Sequence, residues 1–336
     1  MKKINTLIVG QGIAGSLVAF MLHLRNMPFV VIDPALANTS SRIAAGMFTP
    51  VSGKRKTINL HTLNQIPFAI QIYQELEKLL DARLLHLQNI HQVYHSVAER
   101  NELTSKLNNA DFAKFIITDP LSLQGIKEPI GAFGISHSGW VDCPAFIEAF
   151  ANWLKQQDAL VEGLFAYGEL QITKDKMAYR GMEFNNIIFC EGYKAVGNPF
   201  FESENIIPCK GDLLTIKYDH LSTDLIVKKN GIYLIPSGNN TFRAGSTYQW
   251  NDDSESANEE ARKLIERQLD SMLDNNYTTI GHSSGIRPTT KTREVVARQH
   301  TENKGMFMLN GLGTKGVLQG PWWAKHITEL CCNNNE

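Results

Sequence analysis

Three glycines in the run Gly10-Gln11-Gly12-Ile13-Ala14-Gly15 have the spacing that lets a backbone turn sharply and open a helix towards an anion. Gly10 permits the tight turn, and Gly12 removes the Cβ that would block a pyrophosphate. Gly15 lets helix and strand pack closely. Asp33 follows at the end of a second apolar run and can accept hydrogen bonds from ribose hydroxyls. Its charge would repel a 2′-phosphate, which disfavours NADP. The motif does not choose between NAD and FAD. A second glycine-rich stretch, Gly311-Leu312-Gly313-Thr314-Lys315-Gly316-Val317, stands near the other end of the chain. It presents a second helix N-terminus, with Lys315, to the same ligand. That suits a flavin, whose reduced ring gathers negative charge.

These residues need positioning elements. Ile4 to Val9 reads as a short buried strand, followed by a helix from the glycine run to about Leu24 and a strand over Phe29 to Ile32. Ile66, Ile70, Tyr73, Leu76 and Leu80 fall on one helix face and read as core. A further amphipathic helix begins at Pro144, and Ile187 to Phe189 reads as a strand. A hairpin runs from Ile232 to Thr247 around Gly238-Asn239-Asn240. Ser256 and Glu259 fit a capping box opening a helix with a wet charged surface. Met306 to Leu309 reads as the strand before a last helix that ends near Leu330.

Composition bounds the function. The 336 residues are 43% hydrophobic and 20% charged, as in a globular protein of about two domains. A net charge of −1 gives no field that would draw nucleic acid or anionic lipid. The basic run Lys54-Arg55-Lys56 reads as a solvated loop. No run of 18 apolar residues is present, so no membrane span is expected, and the N-terminus lacks the pattern of a signal peptide. Five cysteines, at 143, 190, 209, 331 and 332, are too few and scattered for a disulfide scaffold or a zinc site. A reduced, cytoplasmic protein without a metal is expected, with Cys331 and Cys332 idle in a polar tail.

The segments VGQGIAGS with Asp33, SSRIAAGM, HSGWVD, IIFCEG, KGDLL, IYLIP with GSTY, GIRP and NGLGTKGVLQGP occur in this order over residues 4–330. Together the chain resembles the D-amino-acid oxidase-like family of FAD-dependent oxidoreductases, the glycine oxidase and sarcosine oxidase type. The resemblance implies an α/β fold: a Rossmann-like FAD-binding domain interleaved with an α+β substrate domain on a mostly antiparallel sheet. The expected segments are 1–56, 139–204 and 281–330 for the FAD domain, 57–138 and 205–280 for the substrate domain, and 331–336 as tail. The implied reaction is oxidation of a C–N bond in a small amine or amino acid by hydride transfer to flavin N5. No acid or base is needed if the amine arrives neutral.

By position, the resemblance makes Arg287 the carboxylate grip, with Tyr233 and Tyr248 lining the site. It sets Gly10, Gln11, Gly12, Ile13, Ala14, Gly15, Asp33, Ser40, Ser41, Arg42, Ala45, Gly46 and Met47 along the cofactor. Glu191, Gly192, Gly285, Arg287, Gly311, Gly313, Thr314, Lys315, Gly316 and Val317 complete that set. Family members with covalent flavin attach it through a cysteine in the C-terminal region. Residues 311–320 hold none, so non-covalent FAD is expected. Thr314 and Lys315 replace an arginine common in that turn, and Ser237 replaces one after the IYLIP proline. These departures argue against simple glycine or sarcosine specificity. The GLGTKG and GSTY segments are also similar to the flavin domain of the bifunctional enzyme that matures tRNA wobble uridines. That similarity keeps open a carboxymethylaminomethyl group on tRNA as the substrate, while the net charge weighs against nucleic acid. An FAD-binding subunit without oxidase activity is a third reading. Sequence leaves open the acceptor, oxygen or another, and the oligomeric state.

Overall fold

A computed structural model describes residues 4–53, 55–58, 60–119, 122–173 and 176–333. Lys54 of the basic run lies outside the described residues, as do residues 1–3 of the expected first segment and 334–336 of the expected tail. Eight α-helices are present among the described residues: α1 (Ile13–Leu24), α2 (Ser40–Ile43), α3 (Leu60–Leu80), α4 (Val97–Lys106), α5 (Ala110–Ala113), α6 (Cys143–Gln156), α7 (Glu259–Met272) and α8 (Gly316–Asn333).

Short apolar runs build a six-stranded sheet in the order 160–162, 29–33, 6–9, 186–189, 306–310, 296–299. Every pair in it is parallel except the last. Its strands are apolar on both faces because both are covered. Ile8, Val31, Ile188, Phe307 and Leu309 face α1, α3, α6 and α8. Leu7, Val9, Val30, Ile187, Phe189 and Met308 pack on the other side against Phe165, Met177, Tyr179 and Phe184. The last three of those four belong to a small antiparallel sheet.

A nine-stranded sheet forms the second layer, with all pairs antiparallel except Ile226–Lys229 beside Ile90–Val93. Side chains alternate across it. Leu214, Ile216, Val227, Leu234, Phe242 and Ala244 pack on one face against Ile265, Leu269 and Met272 of α7. The opposite face carries Ile90, Phe133, Ile135, Ile226, Tyr233 and Ile235, with Phe112 and Trp140. The fold is therefore α/β, a Rossmann-like sheet interleaved with a mostly antiparallel one.

Several expected boundaries move. The strand Thr278–Thr289 pairs along its length with Ile207–Lys217, so the boundary expected at 281 falls inside a strand of the nine-stranded sheet. Ile66, Ala69, Ile72, Tyr73 and Leu76 of α3 pack in the core of the six-stranded sheet's layer, not with the second sheet as expected for 57–138. The expected tail begins inside α8, where the buried Cys331 belongs to that same core. α7 is capped not by Ser256 but by Asn258, whose Oδ1 accepts from the amides of Glu260 and Ala261. It is amphipathic, with the expected charges on its outer face.

Candidate active site

The glycine run does three different jobs. Gly10 has φ +101°, and a Cβ there would lie 2.5 Å from the Cys190 carbonyl oxygen. A Cβ on Gly15 would lie 1.8 Å from the Gly10 carbonyl oxygen. Both are needed by the protein itself, for the turn and for the helix–strand approach. A Cβ on Gly12 would meet, within 4 Å, only the Ser41 side chain, its Oγ at 2.9 Å. The chain's own packing therefore leaves the start of α1 open, and Gly12 as N-cap carries no side-chain cap. An anion placed there meets the positive end of the helix, beside the Ile13 amide and the Ser41 hydroxyl that accepts from it.

The Asp33 carboxylate closes the other side of this loop. Its Oδ2 accepts from the Gln11 amide at 2.6 Å and its Oδ1 from the Ala35 amide at 2.7 Å. Each oxygen keeps a lone pair, and the half-buried group remains able to accept from a ribose. Gln11 itself is buried, with its side-chain amide donating to Ser16 Oγ and the Ile147 carbonyl, both at 3.0 Å.

Four elements converge on the start of α1. Ser41 Oγ on α2 accepts from the Ile13 amide at 3.0 Å. A Cβ on Gly285 would come within 3.1 Å of Ser40 Cα, so the 278–289 strand lies against α2. The Gly313 amide donates to the Pro288 carbonyl at 2.9 Å, tying the second glycine-rich turn to that strand. A Cβ on Gly316 would stand 3.7 Å from Ile13 Cδ1, which sets the N-termini of α8 and α1 side by side. Thr314 is exposed, Lys315 is half-buried and Val317 is buried. Gly311 has φ +72° and is crowded by Thr290 and the Glu294 carbonyl.

Between the layers, Gly46 has φ +74°, and a Cβ there would fall 1.9 Å from the Val141 carbonyl. Ala45 and Met47 beside it pack towards the cluster that contains Tyr233. Arg42 is half-buried, one residue beyond Ser41, and has no ion-pair partner among the described residues. Ala14 is half-buried in the first turn of α1 and packs on the core below. The Glu191 carboxylate is turned elsewhere: it accepts from the Tyr167 hydroxyl at 2.5 Å and Asn198 Nδ2 at 2.7 Å. Burial raises its pKa against the pull of both donors. With both oxygens so engaged, Glu191 serves its own loop, and the Gly192 carbonyl accepts from Asn310 Nδ2 at 2.9 Å.

Arg287 lies on the nine-stranded sheet two residues beyond Gly285. Its Nη2 donates to Ser246 Oγ at 2.7 Å and its Nη1 to the Thr247 carbonyl at 3.3 Å. The guanidinium stacks 4.8 Å from the centre of the Tyr248 ring and passes over Gly211, where a Cβ would clash with it. No carboxylate lies within 4.0 Å of it among the described residues. Thr247 is held in turn by Asp212, whose amide donates to Thr247 Oγ1 at 2.9 Å. Tyr233 pairs with Gly245, the residue before Ser246, so it looks out from the same face. Burial raises the Tyr233 phenol far above its ordinary range, with Tyr248 adding to the effect, and it stays a neutral donor. Tyr248 is 54% exposed, on the outer side of the guanidinium it stacks with.

Two residues of this face escaped the sequence reading. Arg243 bridges the layers, reaching the Ala44 carbonyl and Asp142 Oδ1, each at 3.4 Å. Lys228 stands over the Tyr233 ring, its Nζ 5.1 Å from the centre. The signal for Lys228 was present in Asn230-Gly231, a two-residue hairpin turn with φ of +49° and +86°. That turn pairs Lys229 with Ile232 and therefore Lys228 with Tyr233.

The family profile described as FAD dependent oxidoreductase matches residues 5–330. Solved structures share the architecture at low identity. Glycine oxidase from Bacillus cereus ATCC 14579 superposes with a TM-score of 0.84 at 17% identity, over 99% of this chain and 98% of that one. Iminodiacetate oxidase from Chelativorans sp. BNC1 gives 0.80 at 15%, over 98% and 95%. The L-α-glycerophosphate oxidase from Mycoplasma pneumoniae, solved with FAD bound, gives 0.81 at 16%, over 99% and 95%. The open start of α1, the acid at the end of the second strand and the converging second turn are what such a cofactor requires, and with the match along nearly the whole chain they make this protein a member of the FAD-dependent oxidoreductase family typified by D-amino-acid oxidase.

Proposed function

We propose that this oxidoreductase acts on the C–N bond of a small amine or amino acid that carries a carboxylate, with non-covalently held FAD. The single observation that carries the reading is Arg287: a planar cation, fixed by Ser246 and Thr247, with no carboxylate among the described residues to neutralise it. A guanidinium held this way suits a carboxylate in two-point contact. The solved relatives named for glycine and iminodiacetate act on amines bearing carboxylates, which supports the same class here.

Gly12, Ile13 and Ser41 would hold the pyrophosphate, Asp33 the adenosine ribose, and the start of α8 the ring's pyrimidine edge. When bound, FAD supplies the acceptor for the hydride that leaves the carbon next to nitrogen. Arg287 fixes the substrate's carboxylate, and Tyr233 offers a neutral hydroxyl along the sheet. Tyr248 covers the guanidinium from outside and excludes water. Orienting the substrate in this way is a large part of what the protein adds to the cofactor's own chemistry.

Anaerobic mixing of the holoprotein with glycine, sarcosine, iminodiacetate and proline tests this reading. One of these carboxylate amines should bleach the oxidised flavin band. Arg287→Ala should keep its FAD and slow that bleaching by roughly 10²-fold or more, on the scale of a lost charged contact to substrate. Arg287→Lys should fall between. Unchanged bleaching in Arg287→Ala would remove the assigned role.

A further inference from the structure

Lys228 is a cation on the substrate face whose charge the protein leaves unmatched. It lies on the Ile226–Lys229 strand and faces the same side as Tyr233, and its ammonium makes no hydrogen bond or ion pair to a described residue. The nearby carboxylate is Glu99, at the start of α4, and it is already committed. Its Oε1 takes Lys56 Nζ at 2.8 Å, while its Oε2 takes the His95 amide at 2.7 Å and His95 Nδ1 at 2.6 Å. Lys56 comes from the turn between Val51–Ser52 and Thr57–Ile58, and Val51 and Ile58 pack in the same cluster as Tyr233. Lys56 thus takes up the charge of Glu99, and Lys228 is left without an ion-pair partner among the described residues in a half-buried place, which favours an incoming anion.

The sheet sets this cation beyond Tyr233 as seen from Arg287. Lys228, Tyr233, Gly245 and Leu213 form one row across adjacent strands, and Gly245 precedes the Ser246 that holds Arg287. Two strand spacings separate Gly245 from Lys228, roughly 10 Å before the long side chains reach inward. We propose that Lys228 is the seat for a second anionic group of the substrate, so that the molecule oxidised is an amine or amino acid with two carboxylates. Arg287 takes one and Lys228 the other, with Tyr233 between them. This rests on the reading of Arg287 given above. Burial, and after it the Lys56 ammonium, push Lys228 down to about 8 against the pull of Glu99. An anion beside it favours its protonated form.

The test is binding of dicarboxylates to the holoprotein, followed by perturbation of the flavin absorption bands. Malonate, succinate, glutarate and adipate are titrated against acetate, propionate, butyrate and valerate. At pH 7 at least one dicarboxylate should bind about tenfold or more tightly than its monocarboxylate partner, the scale of one partly buried charge pair. Lys228→Met keeps the stem and removes the charge. It should erase that preference and leave monocarboxylate binding in place, while Lys228→Arg should restore it. The preference should also decline as pH rises through about 8, because the anion needs the protonated lysine. The other groups facing Lys228 work against a competing explanation: Tyr233 stays neutral there, and Lys56 is paired with Glu99. A wild-type protein that binds both series equally overturns the proposal and leaves the Arg287 reading standing, as does a preference that survives in Lys228→Met. Failure of both series to perturb the flavin, with no bleaching by any amine, takes down the Arg287 reading and this one with it. Retained FAD in each variant shows that the fold is intact.

Discussion

A methyl group added at Gly12 and one added at Gly15 meet different surroundings. At Gly15 the new atom would lie 1.8 Å from a backbone oxygen that cannot move without breaking the turn. At Gly12 it would touch the far end of the Ser41 side chain, which can turn away at the loss of one hydrogen bond from the Ile13 amide. Gly15→Ala should therefore cost stability, about 1–3 kcal/mol or more in chemical unfolding of the apoprotein. Gly12→Ala should cost less, about 1 kcal/mol for the disturbed Ser41 hydrogen bond, and weaken FAD as its main effect. If both variants lost FAD affinity without loss of apoprotein stability, the division of labour within the glycine run would be wrong. This much is legible in the amino-acid sequence, because glycine spacing next to a strand encodes where backbone must approach backbone or ligand. Lys228 is not legible in the same way. It takes a further step: the Asn230-Gly231 turn sets the register, and the register puts Lys228 on the Tyr233 face.

At the scale of elements, capping separates what pattern shows from what packing decides. Ser256 and Glu259 have capping-box spacing, yet α7 starts later, at Asn258. The start is shifted by the Asn258 amide, which donates to the buried Asp212 Oδ1 at 2.8 Å, where His282 Nε2 also binds at 2.9 Å. That contact fixes the helix entry against the 207–217 strand, a tertiary constraint that no local spacing contains. Asn258→Ala should lower unfolding free energy by about 1 kcal/mol, and Ser256→Ala should change it by less than about 0.5 kcal/mol. The reverse order in urea titrations would restore the capping box. Residues 85–138 are opaque to pattern for a related reason. They supply the mixed-polarity α4 and, at the far edge of the nine-stranded sheet, strands of only two and four residues, too short to show a period.

At the scale of the whole molecule, the chain's interleaving bears on how it unfolds. The parallel sheet is assembled from residues 6–33, 160–189 and 296–310, and the antiparallel one from 90–135 and 207–289. Neither layer is a contiguous stretch, so each needs the other's chain held in place. Arg243 ties them through Ala44 and Asp142, and the strand 278–289 presses Gly285 onto α2. FAD would bind where these connections meet, touching α1, α2 and α8 at once. Its binding energy should therefore stabilise both layers and not the nucleotide layer alone. At a free FAD concentration of 100 times its dissociation constant, linkage adds about 2.7 kcal/mol. For a chain of this size that corresponds to a rise in Tm of roughly 3–8 °C. Apoprotein and holoprotein should each melt in one calorimetric transition, with the whole transition displaced by FAD. Two transitions, of which FAD moves only one, would mean that the sheets fold separately and that the interleaving carries no cooperativity. A single shifted transition would tie the integrity of the Arg287 and Lys228 face to cofactor loading.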